Sequence, residues 1–263
     1  MAQNIYDDEH FFKGYSQLPR QLHGLQGTPE WNSFRSLIPN VDRAKILDLG
    51  CGYGWLCRWA RENGAEKVQG VDVSQNMLSK AREFPEDPAI TYLQADLETL
   101  MLEPESFNVV YSSLTLHYLK NLSELVVQVY QSLLPGGSFV FSVEHPIFTS
   151  PRNPKFTEDA EGHRVWLLES YLSEGTRITN WFADGVVKVH RTIATYINIL
   201  LEAGFTLSDI DEWGPSLEQI EENPGWAENR ERPMFLLMKA TKPNSESIIK
   251  KLNQSFSNAR KMS

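Results

Sequence analysis

The segment Lys45-Ile-Leu-Asp-Leu-Gly-Cys-Gly-Tyr-Gly54 constrains this chain more than any other. Ile46, Leu47 and Leu49 form a short apolar run of the kind buried in a parallel sheet. Gly50, Gly52 and Gly54 let the following backbone turn tightly against a ligand, where a Cβ would clash. A helix is expected directly after that turn. Val68-Gln-Gly-Val71 reads as a second strand, delivering Asp72 to the carboxyl edge of the sheet, where open α/β folds bind their ligands. A carboxylate there can accept both hydroxyls of a ribose, so the two features together describe a nucleoside-binding site.

A dinucleotide fingerprint G-x-G-x-x-G would need a third small residue at position 55, and that position is Trp55. The spacing found, G-x-G-x-G, leaves an indole where a pyrophosphate turn needs glycine. A nicotinamide enzyme is therefore disfavoured, and nicotinamide binding stronger than that of a mononucleoside ligand would revive it.

Asp48-Leu-Gly-Cys-Gly-Tyr-Gly54 resembles the E/D-x-G-x-G-x-G loop of the class I (Rossmann-like) S-adenosylmethionine (SAM)-dependent methyltransferases, small-molecule type. The resemblance continues through Gln94-Ala-Asp96-Leu97, Phe107-Asn-Val-Val-Tyr-Ser112-Ser113 and Leu133-Leu-Pro-Gly-Gly137, in the family's order, over roughly residues 40 to 145. It implies that the glycine loop cradles the methionine part of SAM, that Asp72 holds the ribose and that Asp96 meets the adenine amino group. The expected cofactor contacts are Tyr15, Asp48, Gly50, Cys51, Gly52, Gly54, Asp72, Val73, Met77, Asp96, Leu97 and Ser112, with Arg20 a further candidate for the methionine carboxylate.

Strand patterns fall near 45–49, 67–71, 90–94, 107–112, 138–143, 205–213 and 233–240, and helix patterns near 54–63, 74–84, 120–134 and 192–203. Their alternation predicts a doubly wound α/β fold with a mostly parallel seven-stranded sheet. By the family's topology the last strand, Met234-Phe-Leu-Leu-Met238, inserts antiparallel beside the fifth. Residues 1–40 are expected to form a helical lid, 41–240 the SAM-binding domain with a substrate-side insertion at 145–189, and 241–263 a basic tail. That insertion far exceeds an ordinary connection of about two to six residues. In the tail, Ile248, Ile249, Leu252 and Phe256 are spaced for a short amphipathic helix.

The formal net charge of −9 argues against a broad nucleic-acid footprint, which needs clustered Lys and Arg. The N-terminus carries Asp7, Asp8 and Glu9 rather than a basic region before an apolar core, and no apolar run approaches the roughly eighteen residues of a membrane span. Cys51 and Cys57 are too few for a disulfide framework or zinc cluster. The expectation is a cytoplasmic enzyme with free thiols, monomeric or homodimeric, with a small-molecule partner and neither nucleic acid nor membrane.

For the acceptor, Trp166, Tyr171, Trp181 and Phe182 supply flat apolar surface, and Arg152, Arg164, Arg177 and Arg191 are candidates for a carboxylate or phosphate. Tyr171, Trp181 and Arg191 are the chosen substrate contacts. His117 follows the fourth strand, His145 ends the fifth, and His190 lies where the insertion re-enters the fold, so these three are the candidate bases. No histidines stand at H-x-x-x-H spacing, so no metal is expected. Ser112-Ser-Leu-Thr-Leu-His117-Tyr118 stands where amide and adenine N-methylating relatives carry an Asn/Asp-Pro-Pro-Tyr motif, which leaves a small metabolite as the favoured acceptor. A protein that binds SAM without transferring methyl remains the alternative.

Overall fold

A computed structural model describes residues 3–244. The proposed tail helix therefore lies outside the described residues. The chain begins with short helices, α1 (Glu9–Tyr15), α2 (Pro19–Leu22) and α3 (Trp31–Leu37). Asp8 caps α1 by accepting the Phe11 amide, and Pro19 opens α2, where its missing N–H costs nothing.

The alternating core follows: β1 (Lys45–Leu49), α4 (Trp55–Glu62), β2 (Lys67–Asp72), α5 (Gln75–Ala81), β3 (Ile90–Gln94), β4 (Phe107–Ser113), α6 (Leu122–Ser132) and β5 (Leu133–Glu144). After β5 come α7 (Pro146–Thr149) and two hairpins, β6 (Phe156–Glu158) with β7 (Arg164–Trp166) and β8 (Gly175–Trp181) with β9 (Ala183–His190). The chain closes with α8 (Ile193–Glu202), β10 (Thr206–Trp213), α9 (Leu217–Glu222) and β11 (Phe235–Thr241).

The seven strands of the main sheet lie in the order β10-β11-β5-β4-β1-β2-β3. All are parallel except β11, which runs antiparallel to both neighbours. Leu236, Leu237 and Met238 are fully buried there, because helices cover both faces. One core packs α6 and α8 onto the sheet around Phe139, Phe141 and Tyr196, and the other packs α3 and α4 around Phe34, Leu56 and Tyr111. β5 starts earlier than its apolar pattern, at Leu133, and its pairing with β4 slips across the Pro135-Gly-Gly turn. The doubly wound sheet is as expected; the two hairpins of the insertion were not read from sequence, because β8 alternates half-buried and exposed residues without an apolar face.

The first residues tie two distant parts together. Gln3 hydrogen-bonds Gly185 and Val187 of β9, and the Asp7 carboxylate accepts from Ser74 Oγ (2.6 Å) and from the amides of Gln75 and Asn76 at the start of α5. That tether lays the N-terminal segment across the carboxyl ends of the strands.

Candidate active site

The site grows from the turn after β1. The Gly50 and Cys51 amides both donate to Val71 O, at 2.7 and 3.0 Å, which folds the glycine loop against β2. Gly50 sits at φ 79°, and a Cβ there would lie 2.1 Å from Thr115 Oγ1, so only glycine fits. Asp72 braces the same loop: its Oδ2 accepts the Gly52 amide at 2.8 Å and its Oδ1 the Ser74 amide at 2.9 Å. Burial pushes the Asp72 carboxyl up to about 6 against the pull of those amide hydrogen bonds. Asp48, 1% exposed, accepts the Cys57 thiol at 3.2 Å, and burial pushes it to about 8. Both cysteines are free and buried.

Of the expected cofactor contacts, Tyr15, Asp48, Gly50, Cys51, Gly52, Asp72, Val73, Met77, Asp96 and Leu97 converge on one cleft. Two do not line it. Gly54 caps α4 at φ 72°, where a Cβ would meet the Tyr92 hydroxyl at 2.2 Å, so its part is to turn the loop into the helix. Ser112 is fully buried and donates to Leu49 O at 2.7 Å, clamping β4 to β1; the cleft is lined instead by Ser113, Leu114 and Thr115. Leu114 adopts φ 52°, a left-handed conformation costly for a branched side chain, of the kind that clusters at ligand sites. Nothing in the sequence signals it. Tyr6, Trp55 and Tyr118 also line the cleft and were not singled out as contacts.

A second cavity, of about 540 Å³, lies beside the first. Tyr6, Tyr15, Arg20, Leu114 and Tyr118 line both and form their common wall. The Tyr6 and Tyr118 hydroxyls lie 3.3 Å apart in that wall. Of the three expected substrate contacts, Trp181 lines the second cavity. Tyr171 and Arg191 do not: the Tyr171 hydroxyl accepts the Ile193 amide, and Arg191 Nη2 donates to the carbonyls of Leu119 (2.6 Å) and Lys120 (3.0 Å). Arg177 and Arg164 do not line it either and also hold structure, Arg177 through the carbonyls of Ser150 and Ser173 and Arg164 through an ion pair with Glu228.

The three histidines separate. His117 lines the second cavity, 1% exposed, and burial lowers its pKa to about 4, assisted by Lys188, Arg191 and Arg20 and opposed by Glu144. It is neutral at pH 7. Its Nδ1 accepts the Glu144 amide at 3.4 Å, which assigns the proton to Nε2 and makes the ring a donor. His145 and His190 are not in the site. His145 caps α7 by accepting the Ile147 amide on Nδ1 while Nε2 meets Glu212 at 2.9 Å. His190 binds the Thr149 hydroxyl and the Tyr171 carbonyl with its two nitrogens, at 2.9 and 2.8 Å. Both rings are consumed by packing the insertion, so neither has a nitrogen left for a substrate.

The cleft fits an adenosyl-sulfonium ligand on its own geometry. Asp72 stands at the end of β2, the Gly50–Gly52 backbone leaves the space a Cβ would fill, and Tyr53 Oη and Trp55 Nε1 lack protein partners beside it. A family model described as a methyltransferase domain matches residues 47–141. A solved S-adenosylmethionine-dependent methyltransferase from Mesorhizobium loti is 49% identical with a TM-score of 0.80, covering 83% of this chain and all of that one. A Haemophilus influenzae protein described as uncharacterized is 33% identical over 251 residues, 91% of this chain and 97% of its own length. The malonyl-[acyl-carrier protein] O-methyltransferase of Enterobacter lignolyticus is 38% identical over 105 residues, and the match spans only 41% of that protein. Fold, glycine loop and full-length relatives agree: this chain belongs to the class I S-adenosylmethionine-dependent methyltransferases, with S-adenosylmethionine as its methyl donor.

Proposed function

We propose that the chain moves the methyl group of SAM, by in-line displacement, to an O, N or C nucleophile of a small metabolite held in the second cavity. The observation that carries this reading is the common wall of Tyr6, Tyr15, Arg20, Leu114 and Tyr118 between the two cavities. When bound, SAM supplies a methyl group already activated by its sulfonium. The chain's own residues then need only hold donor and acceptor in line, which is worth up to about 7–11 kcal/mol where orientation is ideal.

Asp72 takes the ribose hydroxyls, Asp96 faces the adenine, and Asp48 lies beneath the methionine end. The N-terminal segment, tethered to α5 by Asp7 and to β9 by Gln3, serves as the lid that excludes water. His117 donates a hydrogen bond from Nε2 rather than acting as the base, since its available nitrogen carries the proton. The carrier-protein methyltransferase match covers only 40% of this chain and 41% of that protein, so its acceptor is not carried over to this chain.

Incubation with methyl-labelled SAM and a metabolite extract tests the reading. Label should appear in the small-molecule fraction. Label confined to protein or RNA would refute the small acceptor, and intact SAM binding with no labelled product would favour a SAM-binding protein without transferase activity.

A further inference from the structure

The wall of the second cavity carries few charges, and the two cations that line it, Lys188 and Arg20, are both ion-paired. Lys188 Nζ lies 2.5 Å from Glu144 Oε1, and Arg20 Nη2 lies 2.7 Å from Oε1 of the buried Glu30. Arg232 does not line the cavity: its guanidinium lies on the faces of Phe148 and Trp166, at 4.6 and 4.4 Å from their centroids, and its Nη2 donates to Asn229 while Nε and Nη1 have no protein partner. His117 is neutral. Among the charged groups of the wall, Glu144 Oε2 is a buried acceptor without a protein partner, and His117 Nε2–H is a donor beside it. Glu144 and His117 adjoin, since the Glu144 amide meets the His117 ring. Phe148, Trp181, Trp213, Trp226 and Phe235 give much of the remaining lining flat aromatic surface.

We propose that this cavity takes an uncharged, flat aromatic acceptor bearing an O–H or N–H that donates to Glu144, and that it rejects the carboxylate of the same skeleton. The inference rests on the methyltransferase reading and adds the acceptor's chemical class. A donor satisfies the orphaned Glu144 Oε2, and aromatic rings match the walls. A carboxylate in that place meets a carboxylate oxygen with no uncompensated cation on the wall, and gives up its own hydration to do so. Glu144 and Lys188 are thereby specificity residues: the ion pair cancels a lysine that would otherwise select anions.

The test uses the full chain saturated with S-adenosylhomocysteine (SAH) and two probes of one skeleton, 2-naphthol and 2-naphthoate, titrated at pH 7 and read by calorimetry. The naphthol should bind at least about tenfold tighter than the naphthoate, the scale of a like-charge penalty. Glu144→Gln should invert the preference, because Lys188 loses its counter-charge while the orphaned acceptor is weakened. Lys188→Met should widen the preference for naphthol. SAH affinity of each variant reports its folding. Equal or tighter naphthoate binding by the wild type overturns the proposal, as does binding of neither probe, or an unchanged ratio in a Glu144→Gln protein that still binds SAH. Failure of the wild type to bind SAH would instead bring down the methyltransferase reading on which the proposal stands.

Discussion

Replacing Asp72 by alanine separates the affinity of the site from the stability of the fold. The residue is 8% exposed, and in the proposed assignment its carboxylate takes two ribose hydroxyls, each a hydrogen bond to a charged group worth about 1.5–3 kcal/mol. Losing both should weaken SAH binding by about 3–6 kcal/mol, or about two to four powers of ten in Kd. Stability of the unliganded protein should change little, because two costs oppose one another. The Asp72 carboxyl is raised from 3.8 to about 6 by burial, and a shift of that size corresponds to about 3 kcal/mol of destabilisation at pH 7. The sign follows from the raised value: the folded state holds the proton longer than the unfolded chain, so the cost is absent below about pH 4 and fully in force above about pH 6. Alanine relieves that cost, but it leaves the Gly52 and Ser74 amides without their acceptor, at about 1–3 kcal/mol each. Titration calorimetry with SAH and thermal unfolding of the free protein read the two quantities separately. An SAH affinity within threefold of wild type would refute the ribose assignment, and a collapse of unliganded stability would show that loop bracing is the residue's main work.

Asp48, pushed to about 8 by burial, is protonated at pH 7, and a cationic ligand beside it favours the ionised form. SAM binding at pH 7 should therefore release close to one proton, shown by binding heats that vary with buffer ionisation enthalpy, and Asp48→Asn should abolish the variation; buffer-independent heats in the wild type would contradict this. Ser112→Ala should lower stability by about 1 kcal/mol through loss of the buried hydrogen bond to Leu49 O, with SAH affinity unchanged. A fall in affinity at constant stability would return Ser112 to the cofactor site.

The sheet and the residues that converge on the cleft were legible because local patterning and backbone requirements coincide there. Ile46, Leu47 and Leu49 are apolar because β1 is covered on both faces, and Gly50 is glycine because its φ and its approach to Thr115 admit nothing else. Asp72 was legible by its place at a strand end. Legibility failed where a residue's part depends on a partner distant in the chain. Ser112 and Ser113 differ only in which side of β4 they face, and register with β1 sends the first inward. His145 and His190 looked free in sequence, yet their partners Glu212, Thr149 and Tyr171 come from other segments. The insertion arginines likewise find their partners elsewhere in the fold, Arg177 on the carbonyls of Ser150 and Ser173, Arg191 on those of Leu119 and Lys120, and Arg164 on Glu228.

By itself, then, the sequence determined the parallel strands, the antiparallel place of β11 through its family likeness, and the glycine loop with its acid, since each is written in neighbouring residues as periodicity, turn chemistry or spacing. The tertiary structure alone decided which histidine faces the second cavity, that Lys188 is paired with Glu144, and that Tyr6, Arg20 and Leu114 stand between the two cavities. Those are contacts between the N-terminal segment, the strand ends and the insertion, and no local pattern encodes a contact whose two halves lie far apart in the chain.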